Sequence, residues 1–111
     1  MLPKKRRVSK KELDLVFKQG KFISSPLLTF KFISNRNEPA KISFIAPKSV
    51  AKTAVARNFL RRRGYSVLEK YISKFPTGTT GAFIFRKSPE SQAEIEEEIK
   101  NVLKKIGVKN N

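Results

Sequence analysis

The sequence contains no cysteine, no histidine and no tryptophan, and only 9 of its 111 residues are acidic. Without cysteine and histidine, the chain has no disulfide, no thiolate nucleophile, no Cys/His zinc site and no imidazole acid-base group. Most classical protein catalysis is therefore excluded. No apolar run approaches the roughly 18 residues that a membrane span requires, and no apolar run of the signal-peptide kind follows the basic start. We expect a cytoplasmic protein.

Positive charge is abundant and unevenly distributed. Lys and Arg number 25, so the formal net charge is +16. Residues 1–89 carry 21 basic and 4 acidic side chains, whereas residues 90–111 carry 4 and 5. Such a density of like charge is normally neutralised by a polyanion. Nucleic acid is the leading partner, and an anionic membrane surface is the weaker alternative because no basic helix of the membrane-binding kind is evident.

The first half of the chain predicts one helix followed by strands. Ser9 and Glu12 have the spacing of a capping box, which predicts a helix over 10–19, and Gly20 supplies the left-handed residue that ends many helices. The apolar period then changes to two, which predicts a possible strand at 21–24 and strands at 28–33 and 40–46. We expect the last two strands to pair antiparallel around a turn at 35–39.

The second half predicts a helix, a strand and a final helix. Thr53 is the expected cap of a long helix whose apolar stripe includes Gly64, where we expect another backbone to approach closely. The apolar run 82–85 predicts an interior strand. Ser88 or Ser91 begins the last helix, Ser91-Gln92-Ala93-Glu94 forms a second capping box, and Gly107 ends it. We therefore predict an α+β sandwich with the order helix, two or three strands, helix, strand, helix. The 39% hydrophobic residues, with nine Phe, are enough for one core, so we expect a single domain over 1–111.

The densest cluster of functional residues is the run Arg57-Asn58-Phe59-Leu60-Arg61-Arg62-Arg63-Gly64-Tyr65. On a helix, residues 58, 61, 62 and 65 lie on or near the side opposite the apolar stripe. Arginine offers planar paired donors that suit phosphate oxygens. The alternative is a solvated basic face without a ligand.

A second basic cluster, Lys4-Lys5-Arg6-Arg7, precedes the first helix. We interpret it as an arm that lies on a phosphate backbone, although a nuclear import signal has a similar composition. The five glutamates of residues 90–98 are most simply the solvated face of the last helix, with Glu96 and Lys100 as an i, i+4 pair, rather than a metal site.

The aromatic residues have two interpretations. Phe17, Phe30, Phe32 and Phe44 can all be core residues, but aromatic rings interleaved with cations are also the usual platform for unpaired bases. Lys31 alternates with Phe30 and Phe32, so one face of the sheet can carry a cation while the other is buried.

The whole pattern resembles the protein subunit of bacterial ribonuclease P. The matching features are the basic start, Phe17 followed by Gly20, the strands, Arg57-Asn58 opening a basic helix with Arg61 and Arg62, the apolar strand before Arg86, and the closing amphipathic helix. The signature helix departs from the family pattern at Phe59, where the family usually has a second Arg.

The resemblance implies an RNA catalyst that works with divalent metal ions, namely magnesium, while the protein supplies no catalytic residue and holds no metal. It implies that the protein binds the catalytic RNA and the 5′ leader of precursor tRNA, and that the fold contains a left-handed βαβ crossover. The residues that we expect to bind RNA are Lys4, Lys5, Arg6, Arg7, Lys48, Lys52, Arg57, Asn58, Arg61, Arg62 and Arg63. Those that we expect to border the leader cleft are Phe17, Phe30, Lys31 and Phe32.

Three other functions compete with this interpretation. A small ribosome-associated structural protein has the same size and charge. A DNA-binding module is disfavoured because no helix-turn-helix spacing is evident, and an autonomous nuclease is disfavoured because the basic region has too few carboxylates to hold catalytic metals.

Overall fold

A computed structural model describes residues 8–34 and 39–106 of the chain. Its helices and strands follow the predicted α+β order: α1 (Lys10–Gln19), β1 (Lys21–Ser24), β2 (Leu28–Ser34), β3 (Lys41–Ile45), α2 (Ala54–Leu68), a 3-10 turn (Ile72–Lys74), β4 (Thr79–Phe85) and α3 (Gln92–Lys105). The possible first strand is present, and β4 begins three residues earlier than predicted. Most of the predicted turn at 35–39 and the terminal Gly107 lie outside the described residues.

The four strands form one mixed sheet in the order β1-β2-β4-β3. β1 pairs antiparallel with β2, β2 pairs antiparallel with β4, and β3 pairs parallel with β4. The predicted antiparallel pairing of β2 with β3 is therefore wrong. β4 lies between them because it is buried on both faces along almost its whole length, as an interior strand must be. β3, α2 and β4 form the βαβ unit of the fold.

The main core lies between one face of the sheet and the helices α2 and α3. Phe30, Phe44 and Phe83 come from three neighbouring strands, and each is at most 3% exposed. The Phe83 ring centroid lies 4.4 Å from that of Phe30 and 5.2 Å from that of Phe44. The alternation of side chains along these strands places all three rings on one face. These stacked rings fix the sheet against α2, which carries the basic cluster.

The helix caps agree with the sequence at two of three positions. The Ser9 hydroxyl accepts from the Glu12 amide while the Glu12 carboxylate accepts from the Ser9 amide, so the first capping box is formed. Thr53 caps α2 by accepting from the amide of Ala56. Ser91 precedes α3 but makes no side-chain cap bond. The Glu94 carboxylate, expected to accept from the amide of Ser91, instead accepts from the amide of Glu90 at 2.6 Å, so the second capping box is not formed.

Two glycines mark close approaches. A Cβ on Gly64 would lie 2.6 Å from the ring of Phe44, so the group that approaches α2 is an aromatic side chain rather than the backbone that the sequence predicts. Gly20 follows α1 in an extended conformation (φ −72°, ψ 151°) and not in the predicted left-handed one. Its Cβ would lie 2.3 Å from the carbonyl oxygen of Val16, which is the reason for a glycine there.

Candidate nucleic-acid interface

An open groove of about 690 Å³ runs between the start of α1, the edge strand β3 and one side of α2. Its α2 wall carries Asn58, Arg61 and Arg62, three of the residues predicted to share one helix face. The groove is lined by Val8, Ser9, Leu13, Ser43, Phe44, Ile45, Asn58, Arg61, Arg62 and Tyr65. None of these described lining residues is acidic, so the groove has the charge that a phosphate chain requires.

The donors on the α2 wall are organised along the helix. A nitrogen of the Arg61 guanidinium donates to the side-chain oxygen of Asn58, one turn earlier. Arg62 is exposed beside them. The amide and the two guanidiniums therefore form a contiguous row of hydrogen-bond donors. Guanidiniums bind phosphate oxygens through two parallel hydrogen bonds.

Tyr65 is not part of this exposed row, contrary to the prediction. Its side chain is 7% exposed, and its hydroxyl accepts from the backbone amide of Phe44 at 3.1 Å. The two rings pack edge to face, with centroids 5.3 Å apart. Because β3 is an edge strand, the Phe44 amide has no partner strand on that side and needs a side-chain acceptor. This hydrogen bond holds α2 beside β3 and sets the width of the groove.

The opposite wall of the groove comes from α1. Leu13 lines the groove, and Phe17 follows it by one turn on the same side of the helix. Phe17 is 43% exposed, and the Nζ of Lys31 lies 5.2 Å from its ring centroid. The structure therefore brings Phe17 and Lys31 together, as a cationic and aromatic surface beside the groove.

Phe30 and Phe32 do not belong to that surface, and their assignment to the leader cleft is corrected. Alternation along β2 points them to the face opposite Lys31. Phe30 is fully buried against Phe83, and Phe32 is half-buried and stacks on Phe30 with centroids 5.1 Å apart. The face of the sheet beside Phe17 therefore presents Lys31 and neither of these rings.

The remaining predicted RNA-binding residues are dispersed around the start of α2. Arg57 is half-buried and donates to the carbonyl oxygens of Ala51 and Lys52, each at 3.1 Å, so it fastens the loop that precedes the helix. Lys48 and Lys52 are exposed in that loop. Arg63 lies on another side of α2. Lys4, Lys5, Arg6 and Arg7 lie outside the described residues.

The sequence profile of the ribonuclease P protein family matches residues 2–107, nearly the whole chain. The chain belongs to the ribonuclease P protein family. It is 32% identical over 102 residues to the ribonuclease P protein component of Clostridium kluyveri. The matched region covers 87% of this chain and 89% of that protein. It is therefore a protein component of ribonuclease P, the ribonucleoprotein of tRNA processing, whose ribonuclease activity belongs to the holoenzyme.

Solved structures agree on the fold. The ribonuclease P protein of Thermotoga maritima superimposes with a TM-score of 0.78 at 21% identity, covering 89% of this chain and 96% of that chain. The ribonuclease P protein of Staphylococcus aureus superimposes with a TM-score of 0.79 at 17% identity, covering 95% and 98%. The three helices and the four-stranded mixed sheet are thus the fold of ribonuclease P proteins.

One acidic residue of this ribonuclease P protein has a structural role that the sequence did not reveal. The Glu98 carboxylate accepts from the Ser25 hydroxyl at 2.5 Å and from the amides of Leu27 and Leu28 at 3.2 and 2.9 Å. It therefore holds the connection between β1 and β2, rather than lying on a solvated face as predicted. Arg86 supports the same connection by donating to the carbonyl oxygen of Ser25 at 2.9 Å.

Other acidic groups are engaged at the surface. The carboxylate of Glu12 lies 3.1 Å from the Nζ of Lys41. Partial burial raises its pKa, but the hydrogen bonds from Ser9 and Lys41 outweigh this effect and the pKa of Glu12 is lowered. The Tyr71 hydroxyl donates to Glu96 at 2.5 Å, which raises the pKa of Tyr71 and lowers that of Glu96.

Within residues 8–34 and 39–106, no three acidic side chains cluster as ligands for a metal ion. Over the same ranges, none of the helices combines the length and the apolarity that crossing a bilayer requires.

Proposed function

We propose that this chain binds the catalytic RNA of ribonuclease P through the groove beside α2 and holds the 5′ leader of precursor tRNA along α1. The observation that carries the proposal is the row of Asn58, Arg61 and Arg62 along one wall of a groove whose described lining contains no acid. The surface continues past Leu13 to Phe17 and Lys31, where an aromatic ring and a cation lie together. Single-stranded RNA is bound by this combination of phosphate contacts and base stacking.

In this proposal the protein moves no proton and attacks no bond. Its guanidiniums neutralise phosphates, which lets two RNA molecules approach each other at lower salt and lower magnesium concentration. Guanidinium, amide and hydroxyl groups without a carboxylate are a poor donor set for Mg²⁺. We therefore assign the magnesium of the reaction to the RNA. The complex acts in the cytoplasm, where no disulfide is required.

The test of this function is cleavage of precursor tRNA by the cognate catalytic RNA at low magnesium concentration, with and without the chain. We expect the chain to stimulate cleavage. We also expect the affinity for precursor over mature tRNA to rise with leader length until the leader spans the surface. Absence of stimulation would refute the proposal and would be the expected result for a purely structural RNA-binding protein.

Phe17 separates the leader contact from the contact with catalytic RNA. The Phe17→Ala substitution removes one exposed aromatic ring, on which the stacking of one base contributes about 1–3 kcal/mol to binding. We expect the preference for long leaders to fall about 5- to 150-fold while affinity for the catalytic RNA is unchanged. Leu15→Ala is the matched control, because Leu15 is 44% exposed on the same helix. Thermal melting of both variants reveals any loss of folding, and equal effects of the two substitutions would remove Phe17 from the leader surface.

A further inference from the structure

A second groove lies on another side of α2 and contains an exposed aromatic ring. Phe59 is 54% exposed, and Val55, one turn earlier, is 79% exposed. The guanidinium carbon of Arg63 lies 5.0 Å from the centroid of the Phe59 ring. The groove beside this pair has a volume of about 360 Å³ and extends past Lys52 to Pro89, before α3.

This second groove is distinct from the first. Each residue of an α-helix advances by about 100°, so Phe59 and Arg61 point about 160° apart around α2. Neither Phe59 nor Arg63 lines the first groove, and neither Arg61 nor Arg62 lines the second. An RNA in the first groove therefore leaves the Phe59 ring uncovered.

We propose that Phe59 and Arg63 form a stacking site for one unpaired base of an RNA strand that wraps around α2 outside the first groove. The Phe59 ring offers a π-face to any base. The Arg63 guanidinium, already over that ring, extends the stacked surface and adds a charge. Lys52, exposed at the end of the groove, is placed to neutralise an adjoining phosphate.

The charge around the groove favours RNA over a second copy of this chain. None of the described residues that line it is acidic, and two copies carrying a formal charge of +16 each repel one another. A groove of about 360 Å³ is close to the lower size of sites for single small ligands, about 300–1,000 Å³. One base with its phosphate matches both the size and the sign of the charge.

This inference rests on the proposed RNA-binding function, and the experiment separates the two. The probe is a short single-stranded RNA in which uridine alternates with 2-aminopurine, bound by the full chain over a range of salt concentrations. We expect Phe59→Ala to weaken binding by about 5- to 150-fold, which corresponds to roughly 1–3 kcal/mol for one stacked base. Because stacking releases no counterions, the salt dependence stays unchanged. The quenching of 2-aminopurine fluorescence on binding falls in the same variant.

Three variants complete the test. Val55→Ala removes a neighbouring apolar side chain that is more exposed still, and we expect wild-type binding. Phe59→Tyr keeps the ring and keeps both affinity and quenching. If Phe59→Ala behaves like Val55→Ala, the stacking site is refuted, including the case in which a protein partner covers Phe59. If the wild-type chain does not bind the probe, or Arg62→Ala leaves the salt dependence unchanged, the proposed function fails instead.

Discussion

The two tyrosines of the chain offer a matched test of what holds α2 beside the sheet. The Tyr65 hydroxyl accepts from the Phe44 amide at 3.1 Å, and both residues are buried. The Tyr71 hydroxyl donates to the carboxylate of Glu96, which water can reach. Replacing each tyrosine with phenylalanine removes one hydroxyl and leaves the ring. Tyr65→Phe leaves a buried amide without that acceptor, whereas Tyr71→Phe leaves a carboxylate that water can solvate.

We expect Tyr65→Phe to lower the free energy of unfolding by about 1–3 kcal/mol, the penalty for a buried unsatisfied amide. Tyr71→Phe should lower it by clearly less, because water replaces the hydroxyl at the exposed carboxylate. Urea unfolding measures both, and an unchanged slope with denaturant shows that the same surface is exposed in each variant. Equal losses, or a larger loss for Tyr71→Phe, would refute the account of the sheet edge.

Three further predictions concern stability. Gly64→Ala should destabilise the fold by up to about 2 kcal/mol, because overpacking against Phe44 costs about 1–3 kcal/mol while the gain in helix propensity is only about 1 kcal/mol. In a Phe44→Leu background the same change should stabilise the fold. Stabilisation in both backgrounds would refute the close contact. Glu98→Ala should cost about 1–3 kcal/mol by leaving amides of the β1–β2 connection unpaired, whereas Glu98→Gln, which keeps an acceptor oxygen, should cost less in the same urea assay. The pKa of Glu12 is below its ordinary 4.5, so this carboxylate stabilises the fold above that pH and the contribution is lost as the pH falls through the folded-state pKa. Between pH 7 and the acid range, the free energy of unfolding should decline less steeply for Glu12→Gln than for the wild type, because the variant lacks the titrating carboxylate. Identical pH profiles would show that Glu12 does not contribute to the acid sensitivity of the fold.

The order of helices and strands was predictable because it depends on local signals. The capping box at Ser9, the cap at Thr53 and the period of two along β2 and β3 are each written within a few residues. Strand pairing was not predictable in the same way. A period of two identifies a strand but not its partner, so nearness in the sequence suggested β2 beside β3, while β4, buried along almost its whole length, takes the interior position between them.

The functional site, too, was predictable where it depends on local spacing and not where it depends on tertiary contacts. The helical spacing of Asn58, Arg61 and Arg62 correctly predicted one shared surface. It failed for Tyr65, because the unpaired edge of β3 attracts its hydroxyl, which is a tertiary effect. Phe30 was misplaced although its alternation with Lys31 was visible, since adjacent residues of a strand point to opposite faces. The exposed Phe59 was missed as a site because an isolated aromatic residue on a helix is equally typical of a core.

In the proposed complex Arg61 and Arg62 contact RNA phosphates, and the salt dependence of binding to the cognate catalytic RNA measures that contact. If about six phosphates are neutralised, the log-log slope is about −4 to −5 for single strands. We expect the double variant Arg61→Ala, Arg62→Ala to bind more weakly, with a slope flatter by about 1.4. The double variant Lys104→Ala, Lys105→Ala removes the same charge from exposed positions on α3 and should keep the wild-type slope. Equal slopes for the two double variants would contradict the claim.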